Sequence, residues 1–186
     1  MVGLKTLRLL ILLFLLFHTN LVLSETQDKV FKNKITENVL DKFFSSYKLV
    51  GQATYKFLLL DIYDAKLISE TEQYPSEKFA LILKYNRDFT KKSVVEETVK
   101  QLKIQRKYSD NELIKLKELL NKTFRPIKKN DYFIAMKLKD KGIFYFKDEK
   151  VLETKDINFL NLFFNIWLRE DSEDPNFTKS LLGKDK

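Results

Sequence analysis

Asp61 is the first side chain in this sequence whose type and position could do chemistry. It lies in residues 51–67, GQATYKFLLLDIYDAKL, a segment typical of one long β-strand or of two strands joined by a bend. Because alternate side chains of a strand share a face, Asp61 would share one apolar and aromatic face with Tyr55 and Tyr63. A carboxylate among aromatic rings must be paired, hydrogen-bonded or protonated. Asp61 could therefore be a structural acceptor, be turned outward by a β-bulge, or form one wall of a small-molecule cleft.

Arg87 is the second candidate, because the chain has 29 lysines and only five arginines. An arginine is favoured over lysine where a rigid, permanently charged fork is needed. Arg87 directly follows the apolar segment 79–85, FALILKY, and precedes a predicted helix. It could form a structural ion pair with a residue such as Asp61. It could also bind a ligand carboxylate with the help of Tyr63 or Tyr85, and the two roles can coexist.

The residue types that are missing exclude several kinds of chemistry. The chain has no cysteine, and its single histidine, His18, lies in an N-terminal segment typical of a secretory signal peptide. We expect cleavage between Ser24 and Glu25, with an uncleaved N-terminal anchor as the alternative. The exported chain would then have 162 residues and no histidine. This excludes a Ser-His-Asp triad, a cysteine nucleophile, a disulfide and a histidine-based metal site.

The charge pattern predicts the kind of partner. The full chain has a net charge of +8, and the exported chain would have +6. Basic residues alternate with acidic ones along the chain and form no basic stripe, so we expect no nucleic-acid partner. A moderately basic protein could make peripheral contact with an anionic membrane. The chain also has no glycine-rich phosphate loop, so no nucleotide cofactor is predicted.

The elements that must position these residues follow an α+β order. Strands are predicted for residues 47–67 and 79–85, and two helices follow, with caps at Thr90 and Ser109. Residues 131–153 alternate as a β-meander. Asp156 and Asp174 can then cap two last helices, of which the first, INFLNLFFNIWL, is apolar enough to pack deeply and to hold its tryptophan in the core. Residues 35–44 could be a short helix or a first strand.

Four blocks of sequence, in this order and spacing, resemble bacterial chalcone isomerase-like proteins of the secreted branch. They are GQATYKFLLLDIYDAKL, FALILKYNRD, IFYFKDEKVLETKDINFLNLFFNIWL and the late SLLG. The resemblance implies an open-faced β-sandwich, in which a layer of helices covers one side of a large antiparallel sheet. It implies one domain over residues 49–183, after a signal peptide of residues 1–24 and a lead-in of residues 25–48.

The resemblance also bounds the function. The family includes plant enzymes that close chalcones to flavanones and non-catalytic relatives that bind fatty acids in the same cleft. The enzymes' arginine, threonine and tyrosine positions correspond to Ser46, Leu58 and residues 90–93, none of which supplies the required donor. We therefore expect a periplasmic protein, without cofactor, metal or catalytic residues, that binds a lipophilic carboxylate such as a fatty acid. The alternatives are an isomerase or intramolecular lyase and a ligand-free envelope interaction protein. The expected ligand-binding residues are Tyr55, Asp61, Tyr63, Tyr85 and Arg87.

Overall fold

The computed structural model describes residues 33–185, and the predicted signal peptide lies outside this range. The described residues form six strands and five helices. In chain order they are α1 Lys34–Leu40, β1 Lys48–Phe57, β2 Leu60–Ser69, β3 Phe79–Tyr85, α2 Lys91–Gln105, α3 Asp110–Thr123, β4 Tyr132–Leu138, β5 Lys141–Phe146, β6 Glu149–Thr154, α4 Ile157–Leu168 and α5 Pro175–Leu181. None of these helices is long and apolar enough to cross a membrane.

The six strands form one sheet in sequence order, and every neighbouring pair is antiparallel. Helices α2 and α3 connect β3 to β4 without interrupting this order. The predicted α+β class, with a large antiparallel sheet and a layer of helices, is confirmed. Residues 51–67 belong to two strands, so the second of the two expected arrangements is present. A tight turn at Leu58 and Leu59 joins them.

Alternating side chains give the sheet two apolar faces. On one face, Leu81 and Leu83 of β3 belong to the main core, together with residues of helices α2 to α5. On the other face, Ala80 and Ile82 pack in a second, smaller core with α1. Three buried residues of the predicted lead-in complete this second core, namely Val39, Leu40 and Phe44. The lead-in is therefore helical over residues 34–40 and covers part of the sheet face opposite the helical layer.

The predicted helix starts are present, because capping is a local interaction. The Thr90 side chain accepts the backbone N–H of Ser93 at the start of α2. Ser109 and Glu112 form a reciprocal capping box on α3. The carboxylate of Glu112 accepts hydrogen bonds from the backbone of Ser109, from Arg106 and from the Ser109 hydroxyl, and these lower the pKa of Glu112 to about 2. Each such cap stabilises the fold by about 1 kcal/mol. The caps fix the helix starts and thereby place the side chains of α2 over the sheet.

Gly51 brings helix α5 against strand β1. A methyl group at this position would lie 2.5 Å from the carbonyl oxygen of Leu181 and 2.7 Å from the backbone nitrogen of Gly183. Only a residue without a Cβ allows this close approach of two backbones. Gly183 ends the helix in the left-handed conformation with φ of 66°. Docked in this way, α5 brings Phe177 against the rings of Tyr55 and Tyr63.

Candidate functional site

A cavity of about 410 Å³ lies between the helical layer and the first three strands. Its interior is mainly apolar and aromatic, and its volume falls in the range of about 300–1,000 Å³ that small-molecule sites occupy. Strands β1 to β3 supply one wall, helix α2 a second, and α4 with the segment before α5 the third. The strand residues that line it are Tyr55, Phe57, Ile62, Tyr63, Leu83 and Tyr85. Phe and Leu side chains therefore leave this part of the core unfilled.

Three tyrosines predicted to bind ligand meet in the strand wall. Tyr55 and Tyr63 lie directly opposite each other on β1 and β2, and their rings stack with centroids 5.1 Å apart. Tyr85 of β3 is the partner of Tyr63 across the next strand pair, and the two rings meet edge to face with centroids 5.9 Å apart. The pleat thus aligns the three rings on one face of three adjacent strands. They form a continuous aromatic surface beneath any ligand in the cavity.

A β-bulge turns Asp61 out of this wall. Tyr55 pairs with Tyr63, but the next residue, Lys56, pairs with Asp61, so Ile62 is the extra residue on β2. Ile62 and Tyr63 both line the cavity, whereas Asp61 does not. Its carboxylate instead lies 3.3 Å from the ammonium group of Lys56, and both side chains are more than half exposed. The expectation that aromatic side chains surround Asp61 is therefore wrong. Of the three alternatives given for Asp61, the one present is the bulge that turns it outward.

Arg87 also lies outside the cavity lining. Its Nε donates a hydrogen bond to the backbone carbonyl oxygen of Asp61 at 3.2 Å. The neighbouring carboxylate, Asp88, pairs with Lys128 at 2.8 Å. Arg87 consequently ties the end of β3 to the start of β2 through the main chain. The sequence suggested that Arg87 binds a ligand together with Tyr63 or Tyr85. Both tyrosines line the cavity, whereas Arg87 does not.

Trp167 is one of several lining residues that the sequence did not assign to the site. It was expected in the core of α4, but its indole N–H donates to the hydroxyl group of Tyr63 at 2.9 Å, and it lines the cavity. The two residues are 104 positions apart. The sequence carried one usable signal, because Trp167 follows Phe163 by four residues on the inner stripe of an apolar helix. A tryptophan at the end of such a stripe often keeps its N–H in a polar setting.

Burial keeps the hydroxyl groups of the cavity protonated. Desolvation raises the pKa of Tyr63 well above 10, although the hydrogen bond from Trp167 acts in the opposite direction. Desolvation also raises the pKa of Tyr85, and it is the largest cause of a raised pKa at Tyr55. At neutral pH these phenols are therefore uncharged hydrogen-bonding groups. They can orient the polar part of a ligand, but they are poorly suited to remove a proton from it.

The mouth of the cavity is polar and mainly acidic. Lys100 of α2 is the one cation among the described lining residues, and its ammonium group lies 3.1 Å from Glu97 and 3.8 Å from Glu173. The hydrogen bond that Lys100 donates to Glu97 is the largest cause of a raised pKa at Lys100, and the charges of Glu97 and Glu173 act in the same direction. The amide of Gln101 donates to the same two carboxylates. A ligand carboxylate at the mouth would have to compete with Glu97 and Glu173 for Lys100.

Metal chemistry has no candidate centre in residues 33–185. This part of the chain contains no group of three or more side chains able to hold a metal ion. The phenol hydroxyls that face the cavity interior are weak ligands for common divalent ions, and the indole N–H has no lone pair to offer a metal. The arrangement fits the burial of an apolar molecule with a few hydrogen-bonding groups.

A comparison with solved structures supports the fold. A fatty-acid binding protein of Arabidopsis thaliana superposes with a TM-score of 0.59 at 15% identity, over 76% of this chain and 89% of that protein. The chain therefore has the chalcone isomerase-like fold. An uncharacterized protein of Haemophilus influenzae is 28% identical over 145 residues, which are 77% of this chain and 71% of that protein. No family model matches the sequence.

Proposed function

We propose that this protein binds a lipophilic small molecule in the cavity and does not transform it. The observation that carries the proposal is the unfilled aromatic cavity of about 410 Å³. An apolar concave surface of this kind is unfavourable in contact with water, so a lipophilic ligand that covers it would be held by the hydrophobic effect. The likeness to a fatty-acid binding protein supports the same ligand class. The site of action that we propose is the periplasm, reached by the N-terminal signal segment.

The polarity of the lining favours one orientation of the ligand. An alkyl chain or ring would lie against Tyr55, Tyr63 and Trp167, because these surfaces are apolar and face inward. The polar head would lie at the mouth, near Lys100. Since Lys100 is already paired with two carboxylates, the apolar part should supply most of the affinity. We therefore expect lauric acid and its uncharged alcohol to bind with affinities that differ by less than about tenfold.

The chain offers a specific reporter for this binding. Trp167 is its single tryptophan, and it lines the cavity. Protein purified from a periplasmic extract would first be analysed by native mass spectrometry for a bound molecule. It would then be delipidated and titrated with lauric acid while the emission of Trp167 is recorded. We expect saturable binding of one ligand. An extract-purified protein that carries nothing, together with no response to either lauric acid or the alcohol, would refute the proposal.

Filling the cavity gives a stricter test with a matched control. Val94 and Thr98 lie on the cavity side of α2, so Val94→Phe with Thr98→Phe would occupy part of the space. We expect affinity for lauric acid to fall by about tenfold or more. The control makes the same type of change at two residues that are 56% exposed and outside the cavity, Ile104→Phe with Ile114→Phe. Equal affinity in both double variants would place the ligand elsewhere.

Arg87→Ala tests the role that the sequence suggested for this arginine. Because its guanidinium group lies outside the lining, we expect the variant to bind lauric acid as the wild type does. Loss of binding would restore Arg87 as a ligand residue. Chemical change of the ligand during these incubations, detected by mass spectrometry, would instead support the isomerase or lyase alternative.

A further inference from the structure

The turn between β1 and β2 exposes four consecutive large apolar side chains. They are Phe57, Leu58, Leu59 and Leu60, here called the hairpin tip (residues 57–60). Leu58 is 79% and Leu59 96% exposed, so these two side chains contact almost nothing in the protein. Single exposed leucines are common on soluble proteins, but a contiguous apolar cluster at a projecting turn marks an interaction surface.

The backbone of the tip makes its sequence more informative. Leu58 and Leu59 have φ of 47° and 68°, as a two-residue type I′ turn requires. This turn strongly prefers Asn and Gly, because the left-handed conformation is unfavourable for a residue with a bulky side chain. Leucine at both positions therefore works against the fold locally. Neither packing nor turn geometry accounts for these two side chains. A contact with an apolar partner outside the protein would account for them.

The hairpin tip also borders the ligand cavity. Phe57 lines the cavity although its side chain is 57% exposed, and Ile62, two residues after the tip, lines it as well. The apolar surface therefore continues from the outside of the turn into the interior of the protein. A partner that covers the tip would lie next to the part of the cavity that Phe57 and Ile62 line.

Cations flank the hairpin tip at the same end of the sheet. Arg87 reaches the main chain at Asp61 and forms no ion pair with any other described residue. Lys129, in the loop before β4, likewise uses only its backbone N–H, which donates to Asp88. Lys56 precedes the tip and is paired with Asp61. An apolar tip with guanidinium and ammonium groups behind it complements a bilayer, whose acyl chains lie beneath anionic phosphates.

We propose that the hairpin tip inserts into the surface of an anionic lipid bilayer. Leu58 and Leu59 would enter the acyl region, and Arg87 and Lys129 would contact lipid phosphates. The bilayer would then lie next to the end of the cavity that Phe57 and Ile62 line. This docking does not require an occupied cavity, so its failure would leave the proposed ligand binding intact.

Two substitutions remove the tip without weakening the turn. Leu58→Asn with Leu59→Gly installs the residues that a type I′ turn prefers, so the variant should fold at least as stably as the wild type. In the full chain, affinity for sedimenting vesicles of phosphatidylcholine and phosphatidylglycerol should fall on the order of 100-fold. Ile104→Asn with Ile114→Asn is the control, because it removes two exposed apolar side chains from helices α2 and α3. Its affinity should equal that of the wild type.

A label at the tip separates insertion there from any contact made by the N-terminal segment. The chain has no cysteine, so Leu59→Cys allows a single nitrobenzoxadiazole label, and Ile114→Cys gives the matched label on α3. With anionic vesicles, emission at position 59 should rise and be quenched by spin-labelled lipid, while position 114 should not respond. Arg87→Gln should reduce the preference for anionic over pure phosphatidylcholine vesicles.

The outcomes separate a bilayer from other partners. A label at position 59 that stays in water in the presence of vesicles would overturn the proposal. A second result would also overturn the proposal: the wild type is a dimer in sedimentation velocity, the Asn-Gly variant is a monomer, and neither responds to vesicles. The tip would then join two copies of the chain. Insertion of the label together with the loss of vesicle affinity in that variant would establish the docking surface.

Discussion

The hydrogen bond between Trp167 and Tyr63 gives the sharpest test of the cavity wall. Tyr63→Phe keeps the ring, and with it the stack on Tyr55 at 5.1 Å, but removes the oxygen that accepts the indole N–H at 2.9 Å. The loss therefore isolates one polar interaction inside an aromatic surface. Among the described residues, the hydroxyl group of Tyr63 is the acceptor of the indole N–H.

The expected cost follows from what the substitution leaves behind. A neutral hydrogen bond contributes about 0.5–1.5 kcal/mol, and a donor left unpaired in an apolar site costs about 1–3 kcal/mol. We expect the free energy of unfolding to fall by about 2 kcal/mol. For a domain of this size, that corresponds to a Tm lower by about 4–8 °C. The emission of Trp167 should change at the same time, since its N–H loses its partner.

Chemical denaturation followed by far-UV circular dichroism measures the change, and Tyr55→Phe is the matched control. The Tyr55 hydroxyl makes no hydrogen bond to another described residue, so its removal should change the free energy of unfolding by less than about 0.5 kcal/mol. If Tyr63→Phe is equally mild and leaves the Trp167 emission unchanged, a water molecule satisfies the indole. The wall would then be wet, and the argument for a dry apolar site would fail.

Three further predictions concern stability. Gly51→Ala should lower the free energy of unfolding by about 3 kcal/mol or more in urea denaturation, because the methyl group would meet the carbonyl oxygen of Leu181. Burial raises the pKa of Tyr63 and Tyr85 above 10. The stability that these two buried phenols contribute is therefore complete below pH 10 and is lost as the pH rises, and absorbance at 295 nm should show both ionising only when the protein unfolds. Glu112, with a pKa of about 2, contributes stability above pH 4.5 that is lost as pH falls through 2, so Glu112→Gln should flatten the acid limb of a stability profile.

Each of these three predictions has an outcome that contradicts it. An unchanged urea midpoint for Gly51→Ala would mean that α5 does not press against β1. Reversible titration of every tyrosine near pH 10 in the folded protein would mean that the cavity is open to water. An acid limb unaffected by Glu112→Gln, and equal to that of Glu118→Gln on the same helix, would show that the capping carboxylate is not held in its charged form.

The sequence by itself determined the elements of the fold and most of their order. Caps at Thr90, Ser109 and Asp156 depend on interactions within three or four residues, so they can be identified locally. The apolar runs of β3 and α4 are long enough to assign as a buried strand and a deeply packed helix. The antiparallel sheet with its helical layer followed from these elements and from the resemblance to a known family.

Only the tertiary structure decided which side chains share the cavity. One inserted residue, Ile62, moves Asp61 to the opposite face of the sheet, and nothing in the local composition marks the position of a bulge. The turn that reverses the chain consists of two leucines, which carry no turn signal, so the sequence left one long strand and two joined strands as alternatives and did not indicate the exposed tip. The bond from Trp167 to Tyr63 joins residues 104 positions apart, and such pairs depend on how helix and sheet pack. Periodicity assigns a residue to a face, whereas packing determines what that face meets.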